Sequence, residues 1–350
     1  MNVAAGGVLG AALVASGVAL AGSTSAPATV RVERTVYLMG TRTSLVASAA
    51  DRPTALSRLE RMLRVLEETE AELSTWRVES VLSALNRQPV QAPWHAPEAL
   101  CRVFKHLAAW HDETDGAFDP AIGALVDAWG LGEGGRRPTL DELAAARARS
   151  GLAGVAFEPD RCLVTRLRDV GFDSGGFGKG EALDRVARDQ AARSGGAWMV
   201  DLGGQIAANA AEDSDAWSVA IAHPARRTEP VLTLRLATGS LATSGGSERD
   251  GRVGNQRIGH VLDPCSRLSV SRPASVIVWR RHALAADIVS TALYVMGVEQ
   301  GLRWAETRRI AAALLVPAQV SVPPSSRSGS RSAMQIHTTA AFRERFLSEE

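Results

Sequence analysis

The sequence predicts an α+β protein built as one large domain with two closely joined halves. Helical patterns dominate the first half of the chain, and short strand-like segments dominate the second half. With 350 residues and 45% hydrophobic content, the chain can bury a large core. The predicted folded unit spans residues 30–350, after an N-terminal segment of different composition.

Residues 1–29 are interpreted as a signal peptide or N-terminal anchor followed by a linker. Residues 3–21 carry no charge, are rich in Ala, Val, Leu and Gly, and end in Ala19-Leu20-Ala21. This small-x-small pattern predicts cleavage before Gly22, although no Lys or Arg precedes the apolar run. We therefore expect an exported protein of the cell envelope. An uncleaved membrane anchor facing outward is the second interpretation, and a cytoplasmic protein with a disordered start is the third.

The periodicity of apolar residues places the individual elements. The segment 53–72, for example, repeats Leu at positions 56, 59, 63 and 66 with charges between them, which indicates an amphipathic helix. In chain order we predict a strand at 31–38, helices at 53–72, 79–85, 96–111, 121–128 and 140–149, strands at 155–157, 163–166, 197–202, 217–222, 231–236 and 274–278, and a helix at 284–296. The stretch 323–332, rich in Ser, Pro and Arg, is predicted to be an exposed loop.

Charge and cysteine content narrow the function classes. A formal net charge of +1 does not steer the protein towards nucleic acid or an anionic membrane, so no nucleic-acid partner is predicted. Cys101, Cys162 and Cys265 are odd in number, widely spaced and without a C-x-x-C motif. We therefore expect ordinary thiols rather than a disulfide framework or a zinc site.

The segment from Phe172 to Asp184 combines an acid, a glycine turn and a lysine ahead of a predicted helix. Glycines let backbone N–H groups approach an anion, a helix N-terminus adds partial positive charge, and Lys179 adds a point charge. Apart from Lys105, Lys179 is the only lysine among the 39 basic residues. The segment therefore suits a bound phosphate, with an ordinary glycine-rich turn at a helix start as the alternative.

Spacing excludes two familiar nucleotide-binding motifs in this segment. A Walker A loop needs a glycine where Asp173 stands, five places before Gly178. The dinucleotide fingerprint, started at Gly176 and Gly178, needs a third glycine where Glu181 stands. A phosphate site in this segment would therefore be neither a Walker A loop nor a dinucleotide-binding loop.

Several short segments, none of them specific alone, occur in one order along most of the chain. They are Met39-Gly-Thr41; Leu73-Ser-Thr-Trp76 with Ser80 and Asn86; Asp115-Gly-Ala-Phe-Asp-Pro120 with Trp129-Gly130; residues 173–184; Leu202-Gly-Gly204; Trp217 with Pro224; Thr243-Ser-Gly245; His260-Val-Leu-Asp-Pro264; and Ala286-Asp-Ile-Val-Ser-Thr-Ala292. Together they resemble the ApbE family, the FAD:protein FMN transferases. The resemblance implies an ApbE-like α+β fold with a mixed or antiparallel sheet core and two closely joined lobes.

The resemblance also implies a substrate, a metal and a partner. FAD would be the substrate, and the FMN moiety would pass to a Ser or Thr hydroxyl of an acceptor flavoprotein with an FMN-binding domain, releasing AMP. By position, the residues lining the FAD site would be Met39, Trp76, Ala117, Phe118, Asp119, Asp173, Lys179 and Leu262. Mg²⁺ would be held by Asp287 and Thr291, with a backbone oxygen of Gly176 or Gly178 and with Ser290 as a water-mediated ligand.

Residue chemistry fits these roles but also allows structural ones. Asp287 and Thr291 lie four apart on a predicted helix and hence on one face, yet Thr291 could instead bond to its own helix backbone. Trp76 and Met39 could contact a flat ring or serve as core residues. Asp119 precedes a proline that can start a helix, so it could be a helix cap.

His260 is the candidate general base, with Asp263 orienting it. A histidine suits removal of a proton from a hydroxyl near neutral pH, and the segment matches the His-x-x-Asp-Pro motif of the resembled family. Members usually continue with Thr-Gly and a proline, whereas this chain continues from Cys265 to Ser269 without a glycine. Arg267 therefore stands where a positive φ is expected.

Two other functions remain open on the sequence. A FAD pyrophosphatase would use water in place of the protein hydroxyl and release FMN and AMP. A non-catalytic flavin-binding envelope protein is the other alternative, favoured by the altered loop after Pro264.

Overall fold

A computed structural model describes residues 29–193, 196–211, 216–224, 226, 228–246, 250–254, 256–272, 274–318 and 334–348. The predicted N-terminal signal or anchor at 1–29 lies almost entirely outside these residues, as does the predicted loop at 323–332. The helices are α1 (Arg52–Leu73), α2 (Val81–Asn86), α3 (Glu98–Glu113), α4 (Gly123–Ala128), α5 (Leu140–Ala148), α6 (Gly178–Ala191), α7 (Ala283–Met296), α8 (Val298–Thr307) and α9 (Ala340–Phe346). The strands are β1 (Val30–Leu38), β2 (Thr41–Ala49), β3 (Pro93–His95), β4 (Val155–Glu158), β5 (Leu163–Arg166), β6 (Trp198–Leu202), β7 (Gln205–Asn209), β8 (Trp217–Ala222), β9 (Pro230–Leu236), β10 (Thr238–Gly245), β11 (Gly251–Val253), β12 (Gln256–Ile258), β13 (Val261–Leu262), β14 (Ser269–Val270), β15 (Ser275–Arg280), β16 (Ala311–Pro317) and β17 (Met334–Thr338).

An eight-stranded sheet organises the described part of the chain. Its strand order is β1-β2-β6-β7-β10-β15-β16-β17, and every adjacent pair is antiparallel. Antiparallel neighbours can be joined by short turns, and β1 and β2 are joined by two residues only. The sheet is therefore the antiparallel alternative of the two that the resemblance left open.

Helices α1, α6 and α7 cover one face of the sheet. Helix α1 begins where the Asp51 side chain accepts a hydrogen bond from Thr54 N, with a proline in its first turn. Its buried residues include Leu59, Met62 and Leu66, spaced so that they share one helix face. This stripe packs with Leu45 and other residues of the sheet in one core cluster.

The other face of the sheet is covered by the β8–β9 hairpin and by α9. Phe342 of α9 is fully buried there beside Leu315 of β16 and Ile277 of β15. Because both faces are covered, the central strands are buried on both sides, which explains the continuous apolar run of β16.

Helix α7 joins the sheet to a helical lobe. Its residues Leu284 and Ile288 pack in the cluster formed by α2, α3 and the three-stranded sheet β3-β5-β4, while Val289 and Leu293 pack in a cluster with β15, β16 and α8. A helix that is apolar on most of its circumference is buried on most of it. The polar residues of α7 therefore stand out, and they lie at the site described below.

A disulfide between Cys101 and Cys162 corrects the prediction of three ordinary thiols. The two cysteines are 61 residues apart in the chain, but α3 and the start of β5 bring their Cα atoms to 5.4 Å. Their pairing depends on this packing, which spacing in the sequence does not reveal. Cys265 is a free and exposed cysteine.

The strongly periodic elements were predicted well. The helices predicted at 53–72, 96–111 and 284–296 correspond to α1, α3 and α7, and the strand predicted at 31–38 corresponds to β1. No helix among the described residues is long and apolar enough to cross a membrane. Strands β2, β3, β7, β10 to β14, β16 and β17 and helices α8 and α9 were not among the predicted elements.

Candidate functional site

The polar residues of α7 form the centre of the site. Asp287 is buried, and its Oδ2 accepts a hydrogen bond from the backbone N–H of Gly180 at 2.9 Å. Ser290 Oγ donates to the Asp287 backbone carbonyl at 3.0 Å. Thr291 lies one helical turn after Asp287 on the same face, as the i, i+4 spacing predicted.

Ser244 joins this group from the neighbouring strand β10. Its hydroxyl is 2.8 Å from Ser290 Oγ and 3.4 Å from Thr291 Oγ1. The sequence resemblance includes the Thr243-Ser-Gly245 segment but predicts no role for Ser244. The sequence does not show that the end of β10 lies beside α7, and this packing is what brings Ser244 to Ser290 and Thr291.

The glycine segment runs along the same side of the molecule. Asp173 begins it with a tight turn in which Oδ1 accepts from Gly175 N at 2.8 Å, and Oδ2 accepts from Thr75 Oγ1 at 3.2 Å. A Cβ atom added at Gly176 would lie 3.6 Å from Cγ2 of Thr291, so Gly176 is next to the α7 polar group. The predicted association of these distant segments is therefore present in the fold.

Lys179 lies in the first turn of α6 and is half-buried. It is close enough to Asp201, at the end of β6, to affect the ionisation of that carboxyl. Burial raises the pKa of Asp201, while a hydrogen bond from Gly204 N and the charges of Lys179 and Arg42 act in the opposite direction. Lys179 is therefore half-buried and lies within electrostatic range of Asp201 at the C-terminal end of β6.

Met39 occupies a constrained turn at the same end of the sheet as Asp201. Met39 and Gly40 have φ of 49° and 68°, the left-handed values of the tight type I′ turn that joins β1 to β2. The Met39 amide donates to Glu70 Oε1 at 2.7 Å, which holds the turn against α1. A Cβ at Gly178 would lie 3.7 Å from Met39 Cε, so the methionine side chain reaches the start of α6.

Trp76 is 69% exposed, which excludes the alternative of a core tryptophan. Its indole lies against Gly132, where an added Cβ would come within 1.9 Å of Cη2. An exposed aromatic face supported from one side is suited to stacking on a planar ring.

Asp119 does not cap α4, the helix that follows it, so that alternative was wrong. Its Oδ1 accepts from Ala121 N at 2.8 Å and its Oδ2 from Leu152 N at 3.0 Å, with His111 Nε2 3.6 Å from Oδ2. Helix α4 begins only at Gly123, after Pro120, without a side-chain cap.

The remaining predicted FAD residues are more deeply placed. Phe118 is buried, with its ring beside Gly176, while Ala117 is half-buried at the edge of the same core cluster. The side chain of Leu262 is buried with Trp129 and Ile258. Phe118 and Leu262 thus contribute to the packing of two core clusters.

A cavity of about 550 Å³ opens next to Asp119. Its lining includes Cys265 and three arginines, Arg147, Arg168 and Arg267. The loop that follows the His-x-x-Asp-Pro motif is therefore one wall of this cavity, and α5 is another.

His260 contacts Asp250 rather than Asp263, which corrects the predicted pairing. Its Nδ1 is 2.7 Å from Asp250 Oδ1. Asp263 instead stabilises its own turn: Oδ1 accepts from Cys265 N and Ser266 N, and Oδ2 accepts from Ser266 Oγ. An Asp side chain commonly bonds to backbone N–H groups two and three residues later in the chain. Asp263 does so, and its carboxylate is therefore not available to His260, which precedes it.

Arg267 has φ of 65°, so the predicted positive φ at this position is confirmed. Its carbonyl accepts a hydrogen bond from Trp129 Nε1 at 3.0 Å, and its amide donates to Asp263 O at 2.7 Å. The turn keeps its shape without glycine because these contacts hold the strained residue in place.

The α7 group fits a hard cation. Its donors are one buried carboxylate and hydroxyl oxygens, all of the oxygen type that Mg²⁺ prefers, and Mg²⁺ commonly takes one or two carboxylates together with substrate phosphates. Among the described residues, no group of three or more His, Cys, Asp or Glu side chains is placed to hold a metal ion.

Comparison with known proteins agrees with this architecture. A FAD:protein FMN transferase of Vibrio cholerae serotype O1 is 30% identical over 260 residues, which are 72% of this chain and 77% of that protein. Another from Klebsiella pneumoniae is 27% identical over 318 residues, 88% of this chain and 91% of that protein. The solved apo form of the Pseudomonas stutzeri flavinyl transferase ApbE has a TM-score of 0.76 and 25% identity, covering 92% of this chain and 98% of that one.

The fold is thus the α+β fold that the sequence predicted, now confirmed by a solved structure that covers nearly the whole chain. A model of the ApbE family matches residues 39–315. The chain belongs to the ApbE family.

Proposed function

We propose that this protein is a FAD:protein FMN transferase that uses Mg²⁺ to move the FMN moiety of FAD onto a Ser or Thr hydroxyl of an acceptor flavoprotein. The curated relatives carry that activity in their names. The observation that carries the proposal is the proximity of the α7 group and Ser244 to the glycine segment. Hard oxygen donors thereby lie next to the turn for which we propose phosphate binding.

The site residues divide into three sets in this proposal. Asp287 and Thr291 would hold Mg²⁺ with the backbone oxygen of Gly176 and with Ser290, and Lys179 would place its charge on the FAD phosphates. When bound, Mg²⁺ would neutralise the charge that develops on the leaving phosphate. Trp76 and Met39, beside Asp173, would contact the rings of FAD. The main chain from Ala117 to Asp119 and at Leu262 would form the wall of the site.

The reaction needs positioning more than covalent chemistry from the protein. His260 takes the proton of the acceptor hydroxyl, the hydroxyl oxygen bonds to the phosphorus of the FMN half, and the bond from that phosphorus to the bridging oxygen breaks. AMP leaves with the bridging oxygen. His260 acts as base because its second ring nitrogen can accept a proton while Nδ1 faces Asp250.

We also propose that the protein works outside the cytoplasm, in the cell envelope. The Cys101–Cys162 disulfide supports this proposal, because such bonds persist in oxidising compartments and are rare in the cytosol. The uncharged segment at 3–21 supports it independently. Cleavage of that segment would release the protein, and retention would leave it anchored to the membrane; an immunoblot of the mature chain against full-length protein distinguishes the two.

One assay separates the three candidate functions. Purified protein is incubated with FAD, Mg²⁺ and an acceptor flavoprotein domain, with EDTA as the metal-free control. AMP is measured by chromatography and the acceptor by flavin fluorescence on a denaturing gel. Transfer gives AMP and a fluorescent acceptor only with Mg²⁺. AMP with free FMN and an unlabelled acceptor would show a pyrophosphatase, and FAD retained intact would show a binding protein.

A further inference from the structure

Asp250 is the carboxylate that holds His260. Its Oδ1 accepts two hydrogen bonds from this residue, one from the backbone N–H at 2.9 Å and one at the ring Nδ1 at 2.7 Å. Its Oδ2 accepts from Arg257 Nε at 2.6 Å. The Asp250 side chain is 5% exposed, so these contacts are made away from bulk water.

A short hairpin brings the two residues together. Strands β11 and β12 pair with Gly251 opposite Ile258, so Asp250, one residue outside the pair, lies near His260, two residues outside it on the other strand. The backbone hydrogen bonds of the hairpin hold Asp250 close to His260. The two hydrogen bonds from His260 to Asp250 Oδ1 then fix the carboxylate relative to the imidazole. The imidazole is therefore fixed both at its own backbone and at its ring.

The ionisation of Asp250 determines the tautomer of His260. Burial by itself raises the pKa of Asp250, but the side-chain and backbone hydrogen bonds from His260, with the charges of His260 and Arg257, outweigh it and lower the pKa below its usual value. An ionised carboxylate can only accept hydrogen bonds, so Nδ1 must carry the hydrogen. In a neutral ring the lone pair is then on Nε2.

We propose that Asp250 is a positioning residue that keeps His260 in the Nδ1–H tautomer and aims Nε2 at the hydroxyl of the acceptor protein. This inference rests on the proposed function, in which His260 takes the acceptor proton. Asp250 itself takes up no proton in the step; it orients the base and stabilises the positive charge that the ring gains.

The surroundings of Asp250 link it to the metal-binding helix. Arg257 faces it from β12, and Tyr294 of α7 lies within electrostatic range. Burial raises the pKa of Tyr294, and the negative charge of Asp250 raises it further while Arg272 and Arg257 lower it. Tyr294 follows Thr291 by three residues on α7, so the Asp250 network lies beside the helix that carries the proposed Mg²⁺ ligands.

The first test measures the tautomer of His260 in the absence of substrate. In ¹⁵N-labelled protein we expect the long-range NMR couplings of His260 to show hydrogen on Nδ1, and Asp250→Asn to shift the ring to a mixture or to the Nε2–H form. Asp263→Asn is the matched control, because Asp263 bonds to its own turn and should leave the tautomer unchanged. Thermal unfolding of both variants establishes that they are folded.

The second test measures the rate of FMN transfer. Asp250→Asn is expected to lower kcat for FMN transfer by roughly 100-fold, the contribution typical of a well-placed general base, with KM for FAD within about twofold of wild type. Asp250→Glu, which restores the carboxylate, should recover part of the rate. Asp263→Asn should not reproduce the selective loss in kcat.

The outcomes separate this inference from the proposed function. If wild-type protein transfers FMN but Asp250→Asn keeps both the tautomer and kcat, or if Asp263→Asn causes the same changes, the role of Asp250 is wrong. If wild-type protein transfers no FMN, the proposed function fails. The tautomer measurement then still decides whether Asp250 sets the state of His260.

Discussion

The backbone amide of Gly180 donates a hydrogen bond to the Asp287 carboxylate across the interface between α6 and α7. The two residues are 107 positions apart. This bond ties the glycine-lysine segment to the candidate metal ligand, and it is possible because Gly180 lets the two helices approach closely. An added Cβ at Gly180 would lie 2.6 Å from the Ala283 carbonyl oxygen and 2.8 Å from Asp287 Cβ.

Gly180→Ala is therefore expected to separate α6 from α7. The new methyl group meets backbone that cannot yield without moving a helix, and overpacking of this kind costs about 1–3 kcal/mol of unfolding free energy. Denaturant unfolding measures the loss. Gly171→Ala is the matched control, since its added Cβ meets only Gly123 Cα at 3.8 Å, an ordinary contact. Equal stability of the two variants would contradict the close approach described here.

Gly132→Val is expected to displace the indole of Trp76 without unfolding the protein. The added atoms collide with an exposed side chain that can swing away, so the fold survives while the stacking surface moves. We expect FAD affinity to fall by roughly fivefold, the equivalent of losing about 1 kcal/mol of stacking. Tryptophan fluorescence and FAD titration measure both effects. Unchanged FAD affinity with a displaced Trp76 would show that this indole does not contact flavin.

Loss of the Cys101–Cys162 disulfide is expected to destabilise the helical lobe. Its ends are 61 residues apart, and closing a loop of that size contributes on the order of 4 kcal/mol in the chain-entropy account, with measured values often nearer 2–4 kcal/mol. The double variant Cys101→Ser with Cys162→Ser should therefore unfold at lower denaturant concentration than wild type. A matched change at the free Cys265 should not have this effect. A reductant should lower the unfolding free energy of the wild-type protein towards that of the double variant, and should leave the unfolding free energy of the double variant unchanged.

Arg267→Gly is expected to stabilise the turn after the His-x-x-Asp-Pro motif. A non-glycine residue at a φ of 65° carries backbone strain that glycine does not, and the contacts of the Arg267 amide and carbonyl would survive the substitution. The net gain in unfolding free energy is expected to be about 0.5–1 kcal/mol, because glycine also loses more entropy on folding. A decrease in stability would mean that the arginine side chain itself holds the cavity wall.

The features that the sequence predicted are those that depend on the pattern of residues within a short segment. Helix α7 was found from its apolar run, and the spacing of Asp287 and Thr291 placed them on one face before any tertiary contact was known. Arg267 at a positive φ followed from a missing glycine in a recognisable turn. In each case the information lies within a few residues.

Features that depend on long-range packing were not predicted. A separation of three residues predicts Asp263 as the partner of His260, whereas Asp250 reaches His260 through the β11–β12 hairpin. The Gly254-Asn255 pair between these strands is a hairpin signal that could have indicated this register. The disulfide and the contact of Ser244 with α7 carry no comparable local signal.

The most direct test of the central claim is Mg²⁺-dependent flavinylation by Asp287→Asn. Asparagine keeps an oxygen for the Gly180 amide but removes the charge that would hold the metal, so transfer of FMN to an acceptor domain should be lost while the variant remains folded. Glu299→Gln, on the exposed side of α8, is the control and should transfer at the wild-type rate. Undiminished Mg²⁺-dependent flavinylation by Asp287→Asn would contradict the assignment of this site.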